Sequence, residues 1–367
     1  MKTNTLFTPY HLGSLNLSNR IAMAPMTRSR ALNNIPNDIM AKYYGQRASA
    51  GLIITEGVSP SPNGLGYARI PGIYSAEQVN GWKKVTHAVH QKGGRIFAQL
   101  MHTGRVAHQE NLPAGARVVA PSAIAAQGKM WTDKNGLQDH TVPVALTADG
   151  LKETKAEFVI AARNAIEAGF DGVELHAANG YLLEQFLSPY SNQRTDEYGG
   201  NIVNRTRFVL EVAREVSEAI GKEKTGIRIS PYGVYNDMPH YTEIDTTYSL
   251  LATELDRLGI AYIHLLDHSA DGAPEVPLHF KERIRGLFKN TIILTGGYNL
   301  ERAEQHLSSN LSDIIAFGKP FVSNPDLVQR LKKNLPLNIK LDASTLYTPG
   351  EKGFTDYPVF SEETLTV

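Results

Sequence analysis

The residues best suited to chemistry lie close together in the stretch Asp171–Leu182. An apolar run typical of a short buried strand ends there at His176, and an Asn-Gly turn signal that begins with Asn179 and the phenol of Tyr181 follow it. Two hydrogen-bond donors and a phenol at a strand end can hold a carbonyl oxygen and deliver a proton nearby. The alternatives are a structural core histidine for His176 and a packing aromatic for Tyr181. The neighbouring Asn179 favours the catalytic interpretation.

The elements that must position these residues alternate along the chain. Short apolar runs bounded by Gly or Pro predict parallel strands covered on both faces. The predicted strands are Arg20–Ala24, Gly51–Glu56, Arg95–Met101, Gly172–His176, Gly226–Ser230, Ala261–Leu266, Thr291–Thr295 and Asp313–Phe317. The predicted helices are 75–91, opened by a capping box at Ser75, then Leu151–Ala168, Val203–Ile220, Asp245–Leu258, Leu300–Leu307 and a last one from the cap residue Asn324 to Lys333.

Eight β-then-α units predict an α/β fold, a single (β/α)8 TIM barrel over residues 1–367. The alternative, a doubly wound open sheet, usually carries a Gly-rich turn after its first strand, whereas this first strand continues into Pro25-Met26-Thr27-Arg28. Two stretches fall outside the repeat. Residues 103–146, after the third strand, are predicted to form a lid or capping insertion, and residues 336–367 a C-terminal extension folding over the same face.

The composition excludes several classes of site. Lysine plus arginine equals aspartate plus glutamate at 37 each, so no basic excess indicates nucleic acid or an anionic membrane as partner. The chain has no cysteine, which excludes disulfides, thiolate metal sites and cysteine nucleophiles. No metal-ligand cluster is predicted, no apolar run approaches the ~20 residues of a membrane span, and the N-terminus lacks the apolar core of a signal peptide. We therefore expect a cytoplasmic protein.

Polar groups at the other predicted strand ends favour an anionic ring-containing ligand. Gly296-Gly297 and Gly318-Lys319 end the seventh and eighth strands, where barrels often bind phosphate through main-chain N–H groups; the alternative is that they are only turn residues. Arg228 lies in an apolar run and needs a partner, either Glu174 on the neighbouring strand or an electron-accepting ring, and both can hold. Gln99 could pair with the imide edge of such a ring or be structural.

These motifs together resemble the old yellow enzyme family of flavin-dependent ene-reductases, most closely its N-ethylmaleimide and nitrate-ester reductase branch. The resemblance covers nearly the whole chain. The matching segments are 15–28, 98–105, 171–205, Arg228–Pro231, Thr295–Gly297, Phe317–Phe321 and Thr355–Pro358.

The resemblance implies a barrel whose bottom is closed by an N-terminal β-hairpin and which binds FMN non-covalently across its top. The cofactor-binding residues that it implies are Pro25, Met26, Thr27, Gly57, Gln99, Arg228, Gly296, Gly297, Gly318 and Lys319. NADPH, or NADH in its place, would reduce the flavin and leave. An α,β-unsaturated carbonyl compound would then enter, its oxygen bound by His176 and Asn179, and Tyr181 would protonate its α-carbon. Maleimides, nitroalkenes and nitrate esters extend the substrate class, and the pocket wall would comprise Tyr67, Met101 and Tyr347.

The sequence departs from the family pattern at four of these positions. Lys319 replaces an arginine and loses the planar fork but keeps the charge. Met101 replaces a tryptophan, which predicts a roomier, more adaptable pocket. Gly57 replaces an alanine, and Thr27 stands where another branch carries a cysteine.

Two other interpretations remain at this point. One is a flavin-independent phosphate-binding barrel enzyme, which should also show a catalytic carboxylate or lysine at the barrel mouth. The other is a ligand-binding protein without chemistry, in which the set of His176, Asn179 and Tyr181 should be broken. The chain is expected to act as a monomer or homodimer.

Overall fold

Eight parallel strands close into a barrel in the computed structural model of the protein, which describes residues 5–361. The strands are β1 Ile21–Met23, β2 Leu52–Val58, β3 Ile96–Leu100, β4 Gly172–Ala177, β5 Thr225–Ile229, β6 Tyr262–Leu266, β7 Thr291–Thr295 and β8 Ile314–Phe317. Each pairs with the next, and β8 pairs with β1 through Ile315 and Ile21. The predicted (β/α)8 barrel is confirmed, and the open sheet is excluded because the ring is closed.

Helices follow the strands around the outside of the barrel. The main helices are Asp38–Gln46, Ala76–His90, Ala148–Glu167, Ile202–Ile220, Ile244–Leu258, Leu278–Leu287, Leu300–Ser308 and Leu327–Lys333, with short ones at Leu182–Leu187 and Lys319–Ser323. The capping box at Ser75 is confirmed. The first, the sixth and the two short helices are absent from the sequence-based prediction.

The predicted cap at Asn324 is wrong. Asn324 ends the short helix Lys319–Ser323, and its side-chain amide donates to Pro320 O and Asn338 O. The last helix instead begins at Leu327, after Asp326. The Asn324 amide thus links the end of the short helix to the loop that contains Asn338, and a local cap signal cannot reveal such a contact.

An antiparallel hairpin, Tyr10–Leu12 with Leu15–Leu17, closes the bottom of the barrel. Leu12 and Leu17 are fully buried in a cluster with barrel-facing residues such as Phe97. The hairpin thus covers the amino-terminal end of the strands and leaves the carboxyl ends for ligands. The hairpin that the family resemblance implies is confirmed.

Two segments cover the carboxyl ends of the strands. Lys129–Thr132 and Gly136–Asp139 form a hairpin inside the predicted lid. The C-terminal segment is fixed by two buried arginines, because Arg28 donates to Gly353 O at 2.6 Å and Arg30 donates to Leu346 O at 2.6 Å. Of the aromatics in that segment, Phe354 stacks on Tyr43 instead of facing a cavity. Residues 362–367 of the predicted extension lie outside the described part of the chain.

Within residues 5–361, no helix has the length and apolar character needed to cross a membrane. The same residues contain no group of three or more His, Cys, Asp or Glu side chains able to hold a metal ion.

Candidate active site

Two adjoining cavities of about 760 and 520 Å³ open at the carboxyl ends of the barrel strands. They share part of their lining, so they form one continuous space. The shared residues are Pro25, Thr27, Asn179, Arg228 and Tyr347. The larger cavity is also lined by Tyr67, Gln99, Met101, His176 and Tyr181. The smaller one is also lined by Met26, Gly296, Gly297, Gly318 and Lys319.

Fifteen of the sixteen site residues predicted from the sequence therefore line this space, whereas Gly57 stands apart. It lines neither cavity. A Cβ at Gly57 would lie 2.4 Å from Met101 Sδ. Gly57 thus provides the space that the Met101 side chain occupies, and it affects the shape of the larger cavity through Met101.

The chain turns sharply after β4 at Asn179 and Gly180. Both adopt positive φ angles, +58° and +74°, which asparagine tolerates and glycine favours. The turn brings His176 and Tyr181 together, with their rings edge to face at 4.9 Å between centroids. This local geometry agrees with the Asn-Gly signal in the sequence.

The buried carboxylate of Glu184 fixes this turn from below. It accepts hydrogen bonds from Gly180 N–H at 2.6 Å, Ser230 Oγ at 2.9 Å and Tyr248 Oη at 2.6 Å. Ser230 Oγ in turn accepts from Asn179 N–H at 2.9 Å. Burial raises the pKa of Glu184 to about 7. The turn thus depends on a buried carboxyl group, and ionising this group costs free energy because it lies away from water.

Hydrogen bonds from the segments after β5 and β6 also fix Asn179. Asn236 donates from its amide to Asn179 O at 2.7 Å, and His268 Nε2 lies 2.7 Å from Asn179 Oδ1. His268 follows the end of β6, so this contact spans the mouth of the barrel from β4 to β6. Three of the polar groups of Asn179 thus have protein partners.

His176 is a neutral donor held at the cavity wall. It is 3% exposed, and burial, with the charge of Arg228, lowers its pKa well below the usual value. Its Nδ1 is a buried nitrogen without a hydrogen-bond partner among the described residues. A buried imidazole nitrogen without a partner is costly, which favours a ligand atom as its partner.

Tyr181 keeps its proton across the neutral pH range. Burial raises the pKa of its phenol. Its hydroxyl lies 3.0 Å from that of Tyr67, and the two rings meet edge to face. Tyr67 is thus able to donate a hydrogen bond if Tyr181 loses its proton.

Arg228 does not form the ion pair with Glu174 that the sequence predicted as one alternative. Glu174 uses one oxygen to accept from Gln99 Nε2 and the other to pair with His264 Nδ1, each at 2.8 Å. The strand register explains this, because Arg228 lies opposite His176, one layer nearer the mouth than Glu174. No salt bridge joins the two within the described structure.

The guanidinium of Arg228 therefore remains available to a ligand. Its Nε is buried and has no partner among residues 5–361. Burial lowers its pKa to about 10, so it stays charged near neutral pH. A fixed cation at this point suits a ring that gains negative charge on reduction.

Lys319 marks the outer end of the smaller cavity. It forms a salt bridge with Asp271, and its side chain is largely exposed. Gly296 and Gly297 have positive φ angles, and the latter at +58° is in the left-handed region that glycine favours. Glycine main chain carries no side chains that would block an anion, so with a lysine beside it this end of the cavity is suited to a phosphate group.

FMN fits these residues. The buried, unpartnered Arg228 Nε lies at the wall of both cavities, and glycines with a lysine line the outer end of the smaller one. A flat ring at the junction and a phosphate at the outer end account for both features. Arg228 and Gln99 would hold the ring, and Lys319 with the glycines would hold the phosphate.

Sequence reasoning assigned no role to Glu184, His264, His268 or Asn236. His268 and Asn236 lie in loops, where polar residues are ordinary. The one signal available was the carboxyl group of Glu184 within the mostly apolar short helix Leu182–Leu187. The contacts of these residues with Ser230, Glu174 and Asn179 join positions 46 or more apart along the chain, so local patterns cannot identify them.

Comparison with known proteins gives a consistent result. A family model described as the NADH:flavin oxidoreductase / NADH oxidase family matches residues 5–338. A probable flavin mononucleotide-dependent alkene reductase of Leishmania infantum is 42% identical, with 97% of each chain covered. The solved structure of morphinone reductase in complex with tetrahydroNAD is 44% identical, with a TM-score of 0.93, 98% of this chain and 99% of that chain covered.

An old yellow enzyme homologue from Zymomonas mobilis is 41% identical and matches with a TM-score of 0.92, over 97% of this chain and 100% of that one. The family resemblance inferred from the motifs is therefore confirmed. The chain belongs to the NADH:flavin oxidoreductase / NADH oxidase family.

Proposed function

We propose that this protein is an FMN-dependent ene-reductase that reduces the activated C=C bond of α,β-unsaturated carbonyl compounds. The observation that carries the proposal is the convergence of His176, Asn179 and Tyr181 at one cavity wall beside the unpartnered cation of Arg228. The flavin-independent alternative is disfavoured, because the family is one of flavin oxidoreductases. The ligand-binding alternative would not need a phenol beside the two donors.

When bound, FMN would supply the redox chemistry, namely hydride transfer from NAD(P)H to the β-carbon of the substrate. Arg228, charged and buried, would stabilise negative charge on the ring. Gln99 is oriented by its hydrogen bond to Glu174, which leaves its carbonyl oxygen available to a ring N–H. These residues bind and orient; they do not react.

His176 and Asn179 bind the substrate's carbonyl oxygen. Because burial keeps His176 neutral, it donates a hydrogen bond without carrying a charge. Two donors on one oxygen stabilise the negative charge that develops there when hydride reaches the β-carbon. Removing one such donor in other enzymes typically costs about 10²-fold or more in rate.

Tyr181 then gives its proton to the α-carbon. Its raised pKa makes the neutral phenol the resting form. The phenolate left behind would accept a hydrogen bond from Tyr67, 3.0 Å away, until a solvent proton restores it. Tyr67, Met101 and Tyr347 shape the space around the reacting carbons.

Several finer properties belong to the proposal. The family name and the tetrahydroNAD complex of morphinone reductase support use of NADH, so we propose that both NADPH and NADH serve as reductants. Lys319 and the three glycines are proposed to bind the FMN phosphate. The chain is proposed to work as a single barrel domain over 1–367, with 103–146 as its lid, in the cytoplasm, as a monomer or homodimer.

The test separates the two half-reactions. Purified protein should be yellow, bleach anaerobically with NADPH or NADH, and regain colour when 2-cyclohexenone is added. With 4-deuterated reductant, deuterium should appear at the β-carbon; in D₂O it should appear at the α-carbon. A colourless protein, or a reduced one that enones do not reoxidise, refutes the proposal.

Tyr181→Phe tests the assigned acid. It should slow reoxidation by the enone by about 10²-fold or more while leaving bleaching by NADPH nearly unchanged, because only the second step needs a proton. Tyr190→Phe, at an exposed tyrosine, is the matched control and should behave like the parent. Equal slowing of both half-reactions would contradict the role of Tyr181.

A further inference from the structure

The protein holds Asn179 at three of its four polar groups. The main-chain N–H donates to Ser230 Oγ, the main-chain oxygen accepts from Asn236, and Oδ1 lies against His268 Nε2. None of the hydrogen bonds formed within residues 5–361 uses the side-chain Nδ2. Since Asn179 lines both cavities, this NH₂ is the group left for a ligand.

The contact with His268 decides which end of the carboxamide faces the cavity. A neutral imidazole carries one N–H and one lone pair. If Nε2 carries the proton, it donates to Asn179 Oδ1 and the NH₂ faces the ligand. If Nε2 carries the lone pair, the amide would turn its NH₂ to the imidazole and present its oxygen, which repels a carbonyl oxygen.

His268 is itself held in place. Its ring lies 4.1 Å, centroid to centroid, from the ring of Tyr235, and the next residue, Asn236, binds the main chain of Asn179. Burial lowers the pKa of His268 to about 4, so the ring is neutral near pH 7 and its tautomer matters. The segment after β5 therefore supports both partners of the contact.

We propose that His268 is a positioning residue, which donates from Nε2 to Asn179 Oδ1 and so fixes the Asn179 NH₂ towards the substrate's oxygen. The inference rests on the proposed function, in which Asn179 donates to that oxygen. His268 acts through Asn179 and needs no contact with the substrate.

The experiment measures phenol binding to the holoenzyme. A phenolate oxygen mimics the activated carbonyl, and p-hydroxybenzaldehyde is titrated into the oxidised protein while the long-wavelength absorbance band of the phenolate–flavin complex is recorded. Losing one anchoring hydrogen bond should raise the Kd of His268→Leu about three- to tenfold. His268→Gln places an amide N–H near the Nε2 position and should restore binding. His268→Asn, whose amide is one bond shorter, should resemble His268→Leu.

The double variant shows whether the effect passes through Asn179. In an Asn179→Ala background, His268→Leu should cause no further loss of affinity. Unchanged binding in His268→Leu, or equal losses in both backgrounds, overturns the inference. If Asn179→Ala itself binds phenol normally, the assigned donor of the proposed function fails instead. Should His268→Leu not retain flavin, the comparison of His268→Gln with His268→Asn decides, and equal affinities there overturn the inference.

Discussion

Replacing Glu184 by glutamine should make the stability of the protein less dependent on pH. Glu184 is buried beneath the turn that carries Asn179, and burial raises its pKa from 4.5 to about 7. A carboxyl whose pKa is higher in the folded than in the unfolded state stabilises the fold only while it is protonated. Its contribution is fully present below about pH 4.5 and is lost as the pH rises through about 7.

The size of the effect follows from the two pKa values. A change from 4.5 to about 7 corresponds to about 3.4 kcal/mol of unfolding free energy once the group ionises in both states. Part of this loss occurs below pH 5, where the unfolded chain already ionises. Between about pH 5 and about pH 8, linkage leaves about 2.5 kcal/mol to be lost. Hydrogen bonds from Gly180, Ser230 and Tyr248 are already included in that pKa.

The assay is urea unfolding of the holoenzyme, in a constant excess of FMN, at several pH values from about 5 to about 8. The difference in unfolding free energy between the two ends should be about 2–3 kcal/mol smaller for Glu184→Gln than for the parent. Comparing differences cancels any uniform loss of stability from the substitution itself. Glu218→Gln, at an exposed position on the helix Ile202–Ile220, is the control and should keep the parent's pH dependence.

An undiminished pH dependence in Glu184→Gln would refute the argument. It would mean that the carboxylate is solvated in the folded protein in spite of its burial, or that its three donors fully offset desolvation. The same reasoning applies to Glu56, whose pKa burial also raises to about 7.

Three further predictions concern the cavities. Met101→Trp should lower the preference for bulky over small enones, by about tenfold in the ratio of their kcat/KM values. Gly57→Ala should act in the same direction, because its Cβ would displace the Met101 side chain. An unchanged ratio in both variants contradicts the predicted pocket. In equilibrium dialysis, Asp271→Asn should tighten FMN binding and Lys319→Met should weaken it, because Asp271 competes with the phosphate for Lys319. Both changes in affinity should be smaller at high salt. Opposite signs would exclude Lys319 from the phosphate site. Phenol binding should show no inflection from His176 between about pH 5.5 and about pH 8, since burial lowers its pKa well below 6.5; an inflection in the parent that His176→Asn abolishes would show that the imidazole titrates there.

Much of the fold was predictable because its signals are local. The eight strands are short runs of buried, mostly apolar residues, and the capping box at Ser75 needs only four consecutive residues. Helix starts were less predictable where one side chain had a distant partner. Asn324 has the residue type of an N-cap, yet its amide binds Asn338 O across a loop, and the last helix begins at Leu327.

The candidate site likewise has some features that local sequence predicts and others that it does not. The types and order of His176, Asn179 and Tyr181 indicated a carbonyl-binding and proton-donating group. The partner of Arg228 was not predictable, because the register that sets it one layer above Glu174 is a property of paired strands. Glu174 had both oxygens engaged by residues 75 and 90 positions away.

The sequence by itself determined the barrel, the family and the set of side chains proposed to react, because strand periodicity, turn chemistry and residue type depend on a few consecutive positions. Only the tertiary structure decided how those side chains are charged and oriented. Burial set the pKa values of His176, Tyr181 and Arg228, and closure of the ring brought His268 to Asn179 across 89 residues. Desolvation and hydrogen-bond direction depend on every neighbour in space, which a linear pattern does not contain.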